Sequence, residues 1–158
     1  MTGIVQPQFP IEGGCVCGAV RYRLTAPPLS AYNCHCRDCQ KMSGGTHSMS
    51  MPVSRTALEH MSGTLVSYDK PSDSGRVVRM MACSYCGTKL WNEPLAAPAL
   101  LVVKPGTLDD ASWIRPVGNI WTDGALPWAT IDAALVNFPG QPADRQPLYD
   151  AWAAATSG

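Results

Sequence analysis

The sequence predicts a β-rich fold with many turns, and three observations point to it. The chain of 158 residues contains 14 glycines and 14 prolines, a density that interrupts helices and punctuates short strands. Several runs alternate apolar and polar residues with a period of two, the pattern of a half-buried strand. Helical patterning is weak, and its best instance is confined to the last stretch of the chain.

Length and charge bound the function. A chain of this size is most simply one domain with a real core. Lysine plus arginine number 12 and aspartate plus glutamate also 12, so no global field draws the protein to nucleic acid or to a membrane surface. The start, MTGIVQPQFPIEGG, has neither the positive charge nor the apolar run of a signal peptide. No stretch approaches the ~20 apolar residues that cross a bilayer. The expectation is a soluble, cytoplasmic protein with reduced thiols. An odd count of 7 cysteines also argues against a disulfide framework.

The strands follow in order. In AVRYRL at 19–24, Val20, Tyr22 and Leu24 face one way while Arg21 and Arg23 face the other. LSAYNC at 29–34 is a second strand, after the proline pair at 27–28. Further strands are expected at 46–53, 64–68, 76–83, 89–91 and 99–104, separated by Ser, Gly, Pro and Asp turns. NIWTDGALPWA at 119–129 places two tryptophans around a DG turn. In ADRQPLYDAWAAAT, Pro147 sets the start of a short C-terminal helix.

The cysteines carry the chemistry. They fall into three clusters: C-V-C at 15–17, C-H-C-R-D-C at 34–39 and C-S-Y-C-G at 83–87. Two thiolates spaced C-x2-C reach one ion from a tight turn, and the glycine that follows, Gly87, lets the backbone fold back toward the sulfurs. Such a half-site needs two more ligands to complete the tetrahedral set of structural zinc, with Zn–S near ~2.3 Å. Cys15 and Cys17, followed by Gly18, supply them. Cys15, Cys17, Cys83 and Cys86 therefore form a closed site that ties the first strand to a mid-chain one. It can contribute on the order of 10 kcal/mol to folding.

Cys34, Cys36 and Cys39 are left without a fourth cysteine. Three protein ligands and a vacant position are what catalytic zinc requires. The alternative is closure of this site by His35, Asp38 or His47. His35 lies between two ligands and is expected to point away, whereas His47 is far enough along to fold back. A thioredoxin-like redox role for Cys36 and Cys39 lacks the βαβ context it needs. Arg37 and Lys41 could offset thiolate charge or grip an anion, or could simply be solvated. Gly44 and Gly45 would let the backbone approach a bound group, or only make a turn.

EGGCVCGAVRY, NCHCRDCQKMSGG and CSYCGTKLW, in this order and spacing, resemble the glutathione-dependent formaldehyde-activating enzyme family, which includes centromere protein V. GTLDD and IWTDGALPW are similar to the same family's C-terminal half. The resemblance runs from about Glu12 to Trp128 and includes all seven cysteines. It implies an all-β fold of the Mss4-like, tent-shaped type, with zinc-stapled sheets. The organisation expected is a lead-in over residues 1–11, a zinc-binding domain over 12–139 and a C-terminal extension over 140–158 that carries the helix.

The resemblance also implies two Zn2+ ions per chain. One is structural, on Cys15, Cys17, Cys83 and Cys86; the other is catalytic, on Cys34, Cys36 and Cys39. The implied activity is that of a carbon–sulfur lyase or synthase, joining formaldehyde to glutathione as S-hydroxymethylglutathione or running the reverse cleavage. The expected partners are a small thiol such as glutathione and an aldehyde. The competing reading is a non-catalytic zinc-binding scaffold. No Ser/His/Asp set, paired-carboxylate set or phosphate loop competes for the chemistry. Arg21, Arg37, Lys41 and Arg76 are the cations available to an anionic substrate. Trp91 and Trp121 are candidates to wall a pocket, although core is the commoner role for tryptophan in a small β domain.

Overall fold

Alternation along the RYRL segment builds the first core. The computed structural model describes residues 3–72 and 75–158, so the first two residues of the lead-in lie outside it. Strand β1 (Ile11–Gly14) pairs antiparallel with β2 (Arg21–Leu24), matching Gly13 with Tyr22. Tyr22 and Leu24 are fully buried, while Arg21 and Arg23 turn outward onto acidic partners. The predicted strand began at residue 19. It starts later because Ala19 and Val20 belong to the turn that presents Cys15, whose amide donates to the Val20 carbonyl at 3.1 Å.

The chain then forms β3 (Tyr32–Cys34), helix α1 (Arg37–Ser43), β4 (Ser48–Ser54), β5 (Leu58–Ser62), β6 (Leu65–Pro71), β7 (Val77–Cys83), β8 (Lys89–Pro94) and β9 (Leu100–Val103). Three short elements close it: β10 (Gly118–Ile120), β11 (Val136–Asn137) and helix α2 (Gln146–Thr156), with Pro147 in its first turn as expected. Five elements were not anticipated, namely β1, α1, β5, β10 and β11. Each is short or lacks alternation; β5 reads LEHMS and is almost wholly exposed.

Two compact units result. One comprises Gln6–Pro28 and Pro52–Trp113. Within it, β1, β2 and β5 form a three-stranded antiparallel sheet, and β6 to β9 form an antiparallel meander. Trp91 lies in its core, with the ring edge-on to Tyr22 at 5.9 Å and to His60 at 6.3 Å. It is therefore packing rather than a pocket wall.

The other unit comprises Met1–Val5, Leu29–Met51 and Ile114–Gly158. Here β10 lies between β3 and β11 and runs parallel to both, while β4 returns antiparallel along β3. Leu148 of α2 is fully buried with Tyr32, Cys34 and Ile120. Among the described residues, no helix is long and apolar enough to cross a membrane.

One contact in the first unit limits the sequence tightly. Thr107 donates its hydroxyl to the Lys104 carbonyl at 2.7 Å, so it can only accept from the buried Tyr22 phenol at 2.8 Å. Burial pushes the Tyr22 phenol up to about 12, which keeps it a donor. Gly13 lies against both groups. A Cβ there would stand 2.6 Å from the Tyr22 ring and from the Thr107 carbonyl oxygen. Gly13→Ala should therefore destabilise the protein by about 1–3 kcal/mol through overpacking. Gly106→Ala, where a Cβ meets nothing within 4 Å, should leave the thermal midpoint almost unchanged. Equal midpoints for the two variants in a melting experiment would contradict this packing account.

Candidate metal centres

Two tight turns converge in the first unit. Gly18 adopts φ +80° and its amide reaches the Cys15 carbonyl at 3.0 Å. Gly87 adopts φ +73° and its amide reaches the Cys83 carbonyl at 3.0 Å. A side chain at either glycine would strain this left-handed backbone. The turns aim amides at sulfur: Val20 N–H lies 3.2 Å from Cys15 Sγ, and Tyr85 N–H lies 3.4 Å from Cys83 Sγ.

The four sulfurs of Cys15, Cys17, Cys83 and Cys86 all lie within 4.8 Å of one another. Two of the separations are 3.4 Å and 3.8 Å. Zn–S bonds of ~2.3 Å in a tetrahedron imply sulfur–sulfur edges of about 3.8 Å, so these separations are close to those a zinc ion would require. Cys15 and Cys83 are buried, while Cys17 and Cys86 are exposed.

Thr88 is a member of this centre that sequence reasoning missed. Its hydroxyl accepts from Val16 N–H at 3.2 Å and lies 3.1 Å from Cys86 Sγ, which leaves its proton for the sulfur. It ties one turn to the other. The Thr88 hydroxyl, then its backbone amide, draws the Cys86 thiol down to about 5. Cys17 moves the other way, to about 12. The Ala19 amide favours its thiolate, but Cys15, burial and the remaining two cysteines outweigh it. Only its place directly after the C-x2-C-G run marked Thr88 in the sequence.

The second unit assembles Cys34, Cys36 and Cys39 from a strand end and a helix start. Cys34 closes β3 and is buried. Cys36 is the N-cap of α1, its sulfur accepting from Cys39 N–H at 3.4 Å, and Cys39 follows one turn into the helix. Gly44 ends that helix at φ 72°, its amide on the Gln40 carbonyl at 2.9 Å. The C-x2-C spacing here is thus the reach from an N-cap to the third helical residue, where the first C-x2-C run is a knuckle turn.

The three sulfurs lie within 4.8 Å of one another, and among the described residues no histidine or carboxylate joins the group. His35 turns its Nε2 to Asn119 Oδ1 at 3.0 Å and, as expected from its position between two cysteines, does not join the sulfur group. His47 bonds through Nδ1 to the Thr46 hydroxyl at 2.9 Å. Burial, then the neighbouring His35, lowers the pKa of His47. Hydrogen bonds from Cys34 and then Cys39 hold the Cys36 thiol down to about 2, while Cys36, then Cys39, then burial push the Cys34 thiol up. Three crowded thiols thus share their charge unevenly. A divalent cation at their centre would let all three ionise, so the donor set suits a metal.

The surrounding candidates divide. Arg37 reaches Gln40 Oε1 at 3.2 Å, and Gln40, almost fully buried, donates to the carbonyls of His35 at 2.7 Å and Gly124 at 2.8 Å. Arg21 is not available to a substrate. It is held by Asp109 at 2.8 Å and by Glu12 at 3.5 Å. Trp121 is 38% exposed and is the one non-glycine with positive φ among the described residues, at 59°. Its indole N–H donates to Gln141 Oε1 at 3.2 Å.

Comparison with known proteins adds three findings. A solved structure of a Rhodobacter sphaeroides protein superposes over 81% of this chain and 99% of its own, with a TM-score of 0.52 and 19% identity, which shows a shared fold. A Halomonas elongata protein named "Putative glutathione-dependent formaldehyde-activating enzyme" is 32% identical over 88 residues. That match takes in 51% of this chain and 54% of the relative, so the chain spans about half the length of the curated relative it matches. The family model for the glutathione-dependent formaldehyde-activating enzyme matches residues 10–124, a stretch that contains all seven cysteines. With that stretch matched and its cysteines gathered into two metal-competent groups, the chain belongs to the glutathione-dependent formaldehyde-activating enzyme family.

Proposed function

We propose that the protein is a zinc-dependent carbon–sulfur lyase or synthase acting on a thiol–aldehyde adduct, of the S-(hydroxymethyl)glutathione synthase type. The observation that supports it is the group of Cys34, Cys36 and Cys39, which offers three cysteine sulfurs with no fourth side-chain ligand among the described residues. In the synthetic direction a thiol sulfur bonds to the aldehyde carbon, the C=O π pair moves to oxygen, and the thiol proton ends on that oxygen. The reverse cleaves the same C–S bond and regenerates both partners. Zinc held by the three cysteines would supply Lewis acidity at its free coordination position.

The protein's own part is to hold that position open and rigid. Cys34 is fixed by its β3 pairing, Cys36 by the helix cap and Cys39 by the first turn of α1. Gln40 clamps the His35 carbonyl between the first two ligands. In this reading Cys15, Cys17, Cys83 and Cys86 hold a separate, structural zinc. The competing scaffold reading predicts metal binding without turnover.

Purified protein should carry two zinc ions per chain. Cys36→Ala should remain folded with one zinc and lose the acceleration of adduct formation from glutathione and formaldehyde. Undiminished acceleration in that variant would refute catalysis at this site, and a wild type with two zinc ions and no acceleration would favour the scaffold. Cys83→Ala should lose the other zinc together with cooperative unfolding, since removal of a structural zinc ligand costs several kcal/mol on the scale of ~10 kcal/mol for such sites. A calorimetric trace that keeps its sharp transition would contradict the structural assignment.

A further inference from the structure

A row of asparagines crosses the parallel strands beside the three-cysteine group. Register places Asn119 of β10 opposite Asn33 of β3 on one side and Asn137 of β11 on the other. Their amides form a relay whose direction is fixed at one end. Asn137 Nδ2 lies 2.9 Å from the backbone carbonyl of Asp132, which can only accept. Asn137 must therefore turn its Oδ1 toward Asn119, whose Nδ2 donates to it at 2.8 Å. That leaves Asn119 Oδ1 facing Asn33 Nδ2 at 3.2 Å and His35 Nε2 at 3.0 Å. A carboxamide oxygen cannot donate, so His35 must carry its proton on Nε2.

We propose that Asn119 is a positioning residue of the three-cysteine site, fixing His35 as the Nε2–H tautomer and thereby the spacing of Cys34 and Cys36. This rests on the metal-site reading above. Both histidine and asparagine are almost completely buried, at 1% and 2% exposure. His35 is pinned at every polar group but one. Its amide donates to the Ile120 carbonyl at 3.0 Å, its carbonyl accepts from Gln40, and its Nε2 donates to Asn119. The remaining atom, Nδ1, is buried without a hydrogen-bond partner, as is Asn33 Oδ1. Buried acceptors of this kind are uncommon, and here they follow from the imposed direction of the relay. The ring of His47 neighbours the imidazole, with centroids 5.1 Å apart and planes tilted by 47°. Since His35 is the single residue between two cysteines, holding its ring and both backbone groups leaves little freedom to either sulfur. Partners that orient metal ligands in this indirect way typically change metal affinity by about 10–100-fold when removed.

Two measurements test the proposal. A long-range proton–nitrogen correlation spectrum of the histidine side chains in the zinc-loaded protein should show His35 protonated at Nε2 and bare at Nδ1. A proton on Nδ1 would overturn it. In the second, cobalt-loaded protein is challenged with a chelator, and the phase missing from Cys36→Ala is assigned to the three-cysteine site. Asn119→Ala and His35→Asn should speed that phase at least about tenfold without changing the other phase. His35→Gln, whose amide nitrogen can occupy the Nε2 position, should restore it to within about threefold of wild type, on the same scale of outer-shell effects. Equal rates for His35→Asn and His35→Gln would overturn the proposal, because a merely space-filling role does not distinguish which nitrogen is replaced. If wild type holds no cobalt in the three-cysteine site, the catalytic reading fails, and the tautomer spectrum still decides this one.

Discussion

Convergence of Cys15, Cys17, Cys83 and Cys86 is the constraint that shapes the rest of the first unit. Cys17 and Cys83, drawn from turns nearly seventy residues apart in sequence, bring their sulfurs to 3.8 Å. They do so because Gly18 and Gly87 accept a left-handed backbone and because amides of Val20 and Tyr85 point at the sulfurs. The same turn that offers Cys15 delays β2 until Arg21, which sets the register that buries Tyr22 and Leu24. Tyr22 in turn determines that residue 13 must be glycine. A small β unit has little apolar surface to bury, and a four-thiolate zinc would replace part of that missing core.

The second unit obeys a different rule. There the cysteines sit on regular structure, a strand end and a helix cap, and rigidity comes from hydrogen bonds around His35. Backbone, Gln40 and the Asn119 relay each hold one of its polar groups. A four-sulfur metal site can tolerate exposed ligands because four bonds share the task, and in the proposed structural site Cys17 and Cys86 would be the exposed ones. Three ligands leave more to the surroundings. On our reading, that difference explains why the polar network gathers at the three-cysteine group.

Much of this was legible in the residues themselves. Alternation in RYRL, the C-x2-C-G spacing and the arithmetic of four plus three cysteines anticipated β2, the knuckle turns and the two sulfur groups. Pro147 placed the start of α2. What stayed hidden depends on pairing across the chain. Helix α1 is only seven residues long, and its N-cap is a cysteine rather than the usual serine or aspartate, so its signal is weak. Strand β10 is the tripeptide GNI, and only its place between β3 and β11 makes Asn119 meaningful. Thr88 follows the same logic, since its partner Val16 lies far away in sequence. Arg21 looked available to a substrate because Asp109, which holds it, is equally distant.

The central claim is that two cysteine groups bind metal in different ways, one closed by four sulfurs and the other by three with a position left for substrate. Cadmium NMR of the cadmium-substituted protein reads this directly, because the metal shift reports its donor atoms. The account predicts two resonances, one with the shift of four sulfur donors and one with three sulfurs and an oxygen donor. Only the second should move when a small thiol is added. A second resonance bearing four sulfurs or a nitrogen donor before any thiol is added, or no second resonance at all, would contradict it.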